Sequence, residues 1–129
     1  MPRQLPVTSV APTAAGALDV TGSWRGTLTY DNGNPGFSFV YTLRSTGESF
    51  AGRSTEPNTF GDRRTESLFA NISGRILAGG VIEWTKTYDG TGGVSTSVAY
   101  YGRFDPRRVI ITGRWNAGGN TGRFELRRE

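Results

Sequence analysis

Lys86 is the only lysine in a chain of 129 residues whose other 14 basic side chains are all arginine. It falls in a run where Ile82, Trp84, Lys86 and Tyr88 alternate with Val81, Glu83, Thr85 and Thr87, so on an extended backbone these four point to one side. An amine on an apolar face is costly to bury unless a carboxylate pairs with it or its pKa falls, and both outcomes recur in functional sites. There it can anchor an acidic head group, form a Schiff base, or exchange protons in concert with a tyrosine. The plainer alternatives are a structural pairing with a loop carboxylate such as Glu56 or Glu66, or a place near the edge of the core with the stem packed and the amine in water. Tyr30, Tyr41, Tyr88 and Tyr100 share the inward phase with Trp84 and Trp115. With Lys86 they form the candidate ligand-binding set, in which Trp84, Trp115, Tyr88 and Tyr100 read either as an aromatic cage for a ligand or as core filled by its own rings.

The chemistry the sequence excludes is as informative. With no cysteine and no histidine, it has no thiol nucleophile, thiolate or imidazole metal site, disulfide, or triad built on an imidazole base. Asp31, Asp89 and Asp105 sit in turns, where bonding to the local backbone accounts for them, and no calcium-loop spacing is present. No metal and no cofactor is therefore expected. The formal charge of +4 permits an acidic partner without requiring one. The pairs Arg63-Arg64, Arg107-Arg108 and Arg127-Arg128 have no exposed aromatics interleaved with them, so they read as solvated charge rather than as a nucleic-acid surface.

These residues need elements to position them, and the pattern supplies strands. Residues 1–18 hold three prolines and no amphipathic period or long apolar stretch, and read as a flexible arm without a secretory signal, which makes the cytoplasm the expected compartment. No run approaches the roughly 18 apolar residues of a membrane helix. Residues 19–129 read as one domain with period-two alternation throughout, interrupted by glycine, asparagine, aspartate and proline. The runs begin at Val20, Phe37, Phe50, Ser67, Val81, Ser95, Val109 and Arg123. The third ends at about Thr55, and 56–66, with Phe60 at its centre and Gly61 as a hinge, reads as a mobile loop suited to gating a mouth. Asn116 to Gly122 reads as the last turn. In the fourth run Phe69 opposes the face shared by Ala70, Ile72 and Gly74.

Eight sequential strands with short links and no helix can bury one face each by closing on themselves. The predicted fold is all-β, an eight-stranded antiparallel up-and-down β-barrel, with Gly26, Gly52, Gly74, Gly102 and Gly113 allowing the bends of closure. Val20-Thr-Gly-Ser-Trp24 at the head of such a meander resembles the Gly-x-Trp signature of the calycins, the group of lipocalins, fatty-acid-binding proteins and avidins. The resemblance implies that Trp24 packs across one barrel end with Arg127 or Arg128 over it. Among avidins the first strand carries an asparagine and a serine that donate to biotin. Here Gly26 and Tyr30 stand in their places, so biotin is not the expected ligand.

The expectation is a non-enzymatic, calycin-like barrel holding a small, largely apolar compound, its polar end oriented by Lys86 or a tyrosine hydroxyl. The alternatives are a cofactor-free cyclase or isomerase for a hydrophobic substrate, with Lys86 and a tyrosine as proton-transfer groups, and a solid barrel whose surface contacts another protein or a second copy of itself.

Overall fold

The computed structural model describes residues 19–129, so the arm expected over residues 1–18 lies outside the described residues. The strands are β1 (Gly22–Tyr30), β2 (Phe37–Thr46), β3 (Ser49–Pro57), β4 (Ser67–Ile76), β5 (Val81–Tyr88), β6 (Ser97–Phe104), β7 (Ile110–Ala117) and β8 (Asn120–Arg128). Each pairs antiparallel with the next, and β8 returns to β1 through partners such as Gly26 and Leu126, which closes the eight-stranded barrel. Single short turns of helix at 78–80 and 91–93 are the only other regular elements of the described residues.

Alternation decides which residues fill the interior. On β1 Trp24, Gly26 and Leu28 are buried and Arg25 and Thr27 exposed, and the same two-residue rhythm runs through β5 and β6. The inward glycines make room for large neighbours. A Cβ on Gly26 would stand 2.4 Å from the Phe39 ring, and one on Gly113 would stand 2.1 Å from the Tyr101 carbonyl oxygen and 2.5 Å from Gly102 Cα. Gly102 and Gly113 face each other across β6 and β7, so the two strands approach more closely there than any side chain would allow.

Several strand ends differ from the sequence reading. Val20 precedes β1 and is tucked wholly inside the barrel end. β6 starts at Ser97, because the turn at 91–93 and the residues after it use up the preceding length. β7 and β8 extend until only Gly118 and Gly119 lie between them, with Asn116 opposite Thr121 and Ala117 opposite Asn120. Gly118, at a φ of 63°, supplies the left-handed residue that so tight a hairpin needs. β3 continues through Glu56 to Pro57, so Glu56 belongs to a strand and not to the 56–66 loop. Proline is tolerated there because it ends the strand. Phe69 does face outward, half-buried, beneath the Arg53 guanidinium 6.0 Å from its ring centre.

The barrel has two unlike ends. Both described termini and the turns at 47–48, 77–80 and 105–109 lie at one end, and the connections 31–36, 58–66, 89–96 and 118–119 ring the other.

Candidate functional site

The end that carries the termini is shut. Trp24 is fully buried, its indole N–H donates to the Val20 carbonyl at 3.0 Å, and the Arg128 guanidinium lies 4.4 Å from its ring centre. Arg128 also donates to the carbonyls of Thr21 and Asp19. The cation over the indole face is thereby held in place by hydrogen bonds. Arg127 points the other way and pairs with Glu125 on the outer wall.

The middle is filled by rings. Trp84 and Tyr100, opposite each other on β5 and β6, stack at 4.9 Å with 6° between their planes. Phe124 packs edge-on against both. The Trp84 indole N–H donates to the Tyr41 hydroxyl at 3.1 Å. Burial pushes the Tyr41 phenol above its ordinary range.

Above this layer stands a buried polar group. Lys86 Nζ donates to Glu56 Oε1 at 2.8 Å and the Tyr88 hydroxyl donates to Glu56 Oε2 at 2.8 Å, with both side chains of the ion pair inaccessible to solvent. Glu56 comes from β3 and the other two from β5, with β4 between. The residue of β4 that faces inward opposite Tyr88 is Ala70, whose single methyl leaves the carboxylate room to cross. The ammonium also lies 5.0–5.7 Å from the ring centres of Phe37, Phe39, Tyr88 and Tyr100, a setting that favours a cation. Burial draws the Lys86 pKa below the ordinary lysine value, against the opposing pull of Glu56. Burial, and then the Glu56 charge, push the Tyr88 phenol far up. Tyr100 is likewise raised well above its ordinary value, first by burial.

A cleft of about 840 Å³ descends from the loop-ringed end to this layer. Its walls include Leu28, Tyr30, Val98 and Trp115, and it reaches Lys86 and Tyr100 at its base. Trp115 is fixed by an indole N–H to Thr29 carbonyl bond of 2.9 Å, and Tyr30 meets it edge-on at 4.9 Å. The Tyr100 hydroxyl is buried beside the Tyr41 hydroxyl, to which it is coupled without a well-formed hydrogen bond, and the Ser54 hydroxyl on β3 is buried without a partner among the described residues.

Phe60 covers part of the mouth. Half exposed, it stands edge-on to Tyr88 at 5.6 Å and leans on Phe37 at 6.4 Å. Its loop is stitched rather than slack: the Asn58 side chain donates to the carbonyls of Asp62 and Thr65 and accepts from the Gly61 N–H, while the Asp62 N–H bonds to the Gly92 carbonyl.

The structure thus divides the sequence-derived set. Tyr30, Lys86, Tyr88, Tyr100 and Trp115 gather around the cleft. Tyr41 and Trp84 do not. They form the packed floor beneath it, with the Trp84 indole N–H spent on the Tyr41 hydroxyl. Glu56 was missing from the set, although its place two residues after inward-facing Ser54 was the available signal. A second hollow, about 950 Å³, is lined by exposed side chains such as Arg44, Thr85, Tyr101 and Arg114 together with inward Phe50 and Trp84, and it shares Tyr100 and Trp115 with the cleft.

No helix of the described residues is long and apolar enough to cross a membrane. No protein-family model matches the chain, and no curated protein matches it. Among solved structures it is similar to a redesigned β-barrel, with a TM-score of 0.73 at 13% identity over 89% of this chain and 95% of that one. It is also similar to the redesigned barrel mFAP1 bound to DFHBI, with a TM-score of 0.68 at 11% identity over 89% and 98%. A de novo designed fluorescence-activating β-barrel matches with a TM-score of 0.65 at 11% identity over 89% and 98%. At these identities the likeness is one of fold, and it is to closed barrels of the same form.

Proposed function

We propose that this chain is a small-molecule-binding barrel of calycin type, which admits a small, largely apolar compound through the loop-ringed end and holds it against Trp115, Tyr100 and Lys86. The observation that carries this reading is the aromatic-walled cleft that opens at the loop-ringed end and stops against a buried ion pair and Tyr100. A ligand site of this kind is mostly apolar surface with a few convergent polar groups that set orientation. The closed end supports the calycin resemblance, since Trp24 and Arg128 meet as that resemblance implies. The redesigned barrel mFAP1, bound to DFHBI, offers a precedent for a small molecule held by a barrel of this form.

Because Glu56 already neutralises Lys86, a neutral guest enters without leaving a buried charge uncompensated. The preferred ligand class is therefore uncharged and aromatic, with a hydrogen-bond acceptor at its leading end.

Titration with Nile red, a neutral apolar dye, tests the reading. Saturable emission at one dye per barrel, abolished by Val98→Trp in a variant that remains folded, is the expected result. Emission that does not saturate, or that survives this filling of the cleft, would overturn it. Native mass spectrometry of gently purified protein then seeks the natural guest as a discrete excess mass that leaves on denaturation.

A further inference from the structure

The cleft ends at the chain's only lysine, and three features of that lysine bear on what it does. Its side chain is wholly buried, its counter-ion is a carboxylate at 2.8 Å, and four aromatic rings surround the nitrogen at 5.0–5.7 Å. An ammonium can make three hydrogen bonds, and here a single acceptor, Glu56, takes one of them. The cleft stops against this lysine without exposing it, so a carbonyl reaches the nitrogen only as the Phe37 and Tyr88 rings beside it move aside.

We propose that Lys86 captures a small, apolar, conjugated aldehyde as a Schiff base, with Glu56 as the counter-ion of the resulting iminium. The proposal rests on the binding reading above and names the ligand class of the same site. Lys86 first gives a proton to Glu56, and the freed nitrogen lone pair attacks the carbonyl carbon. A C–N bond forms as the carbonyl π pair moves to oxygen, which takes the proton back from Glu56 to give the carbinolamine. Its hydroxyl then takes a further proton from the same nitrogen by way of Glu56, the C–O bond breaks, and water departs as the C=N bond forms. The remaining N–H proton stays on the iminium. In sum, one ammonium and one aldehyde become one iminium and one water. No oxidant or reductant is needed, and the charge beside Glu56 is the same before and after.

The surroundings suit both ends of this sequence. Desolvation of the ammonium favours the neutral amine that attacks. The same carboxylate and rings that hold the ammonium hold the iminium, so the product keeps the pairing that burial demands. The Tyr88 hydroxyl occupies the second Glu56 oxygen and keeps the carboxylate turned toward the nitrogen.

The experiment incubates the full chain with dimethylaminocinnamaldehyde, follows its absorption, and then reduces with cyanoborohydride for intact-mass and peptide analysis. The expected result is one adduct on Lys86, formed faster than on the same lysine in the urea-unfolded chain. The absorption moves to the red as the protonated imine forms, and in Glu56→Gln, which lacks the carboxylate that keeps the buried imine protonated, the imine loses its proton and the absorption returns toward the blue. The matching alcohol, dimethylaminocinnamyl alcohol, is titrated in parallel by tryptophan quenching. Saturable binding of the alcohol with no Lys86 adduct from the aldehyde would overturn the covalent proposal and leave the binding reading intact. Binding of neither compound would overturn both. An adduct confined to the α-amino group, or one on Lys86 that forms no faster in the folded than in the unfolded chain, also counts against the proposal.

Discussion

Glu56 and Lys86, thirty positions apart in sequence and on strands that are not neighbours, meet at 2.8 Å in a part of the barrel that water does not reach. Lys86→Met leaves the Glu56 carboxylate buried with only the Tyr88 hydroxyl, and a loss of about 3–5 kcal/mol in unfolding free energy is expected. The double variant Lys86→Met, Glu56→Gln removes both charges and should recover most of that loss. Urea unfolding of the two single variants and the double variant measures the coupling. A double variant that only sums the single losses would contradict the pairing.

Stability should fall steeply in alkali. Burial raises the Tyr41, Tyr88 and Tyr100 phenols above the ordinary value of 10.0. Their contribution is whole below pH 10 and is lost as pH climbs toward their folded values, because the unfolded chain releases these protons first. Each phenol removes about 1.4 kcal/mol per pH unit in that window. The lowered Lys86 acts with the opposite sign, adding stability as pH rises toward the ordinary lysine value of 10.5 and nothing more beyond it. In a Tyr30→Phe, Tyr101→Phe background, which leaves only these three, tyrosinate absorbance and far-ultraviolet circular dichroism should therefore change together above pH 10. Ionisation of these tyrosines well before unfolding would show that they are not sealed in.

Phe60 is half exposed and touches Tyr88 and Phe37 across the mouth. Truncation to Ala should cost less than about 1 kcal/mol of stability, since little buried surface is lost. It should also speed both entry and release of Nile red in stopped-flow traces. Unchanged rates in Phe60→Ala would mean that the ring is not a gate.

Two glycines give a matched pair of outcomes. Gly113→Ala drives a methyl into the Tyr101 carbonyl and should cost at least about 2 kcal/mol. Gly119→Ala meets nothing within 4 Å and should be neutral or slightly stabilising. Thermal denaturation of the two variants makes the comparison.

Period-two alternation was enough to read the barrel from sequence, because a wall with one dry face and one wet face leaves its mark on nearly every strand residue. The same logic put Lys86 on the inside. It named Glu56 as one carboxylate that could pair with Lys86, as it does, but placed it in a loop and not on a strand, since the alternation at the end of β3 runs into Pro57, Asn58 and Gly61, which are turn-formers by composition. A charged residue beside them reads as solvated unless its partner is known. The partner is fixed by the stagger of β3 against β5 across Ala70, a three-strand relation that no local pattern encodes. The split between cleft and floor was illegible for a related reason. Tyr41 and Tyr100 share the inward phase, and only their depth along the barrel axis decides which of them sees the opening.

The plug of Trp24 and Arg128 gathers both described termini at the blind end of the barrel. A chain fused or tethered through its C-terminus would therefore stand with its opening away from the attachment, so the protein can be fixed to a surface or joined to a reporter without masking the site. The loops at the opening can in turn be lengthened or exchanged to reshape what is admitted, because none of them contributes to the seal that holds the cylinder shut.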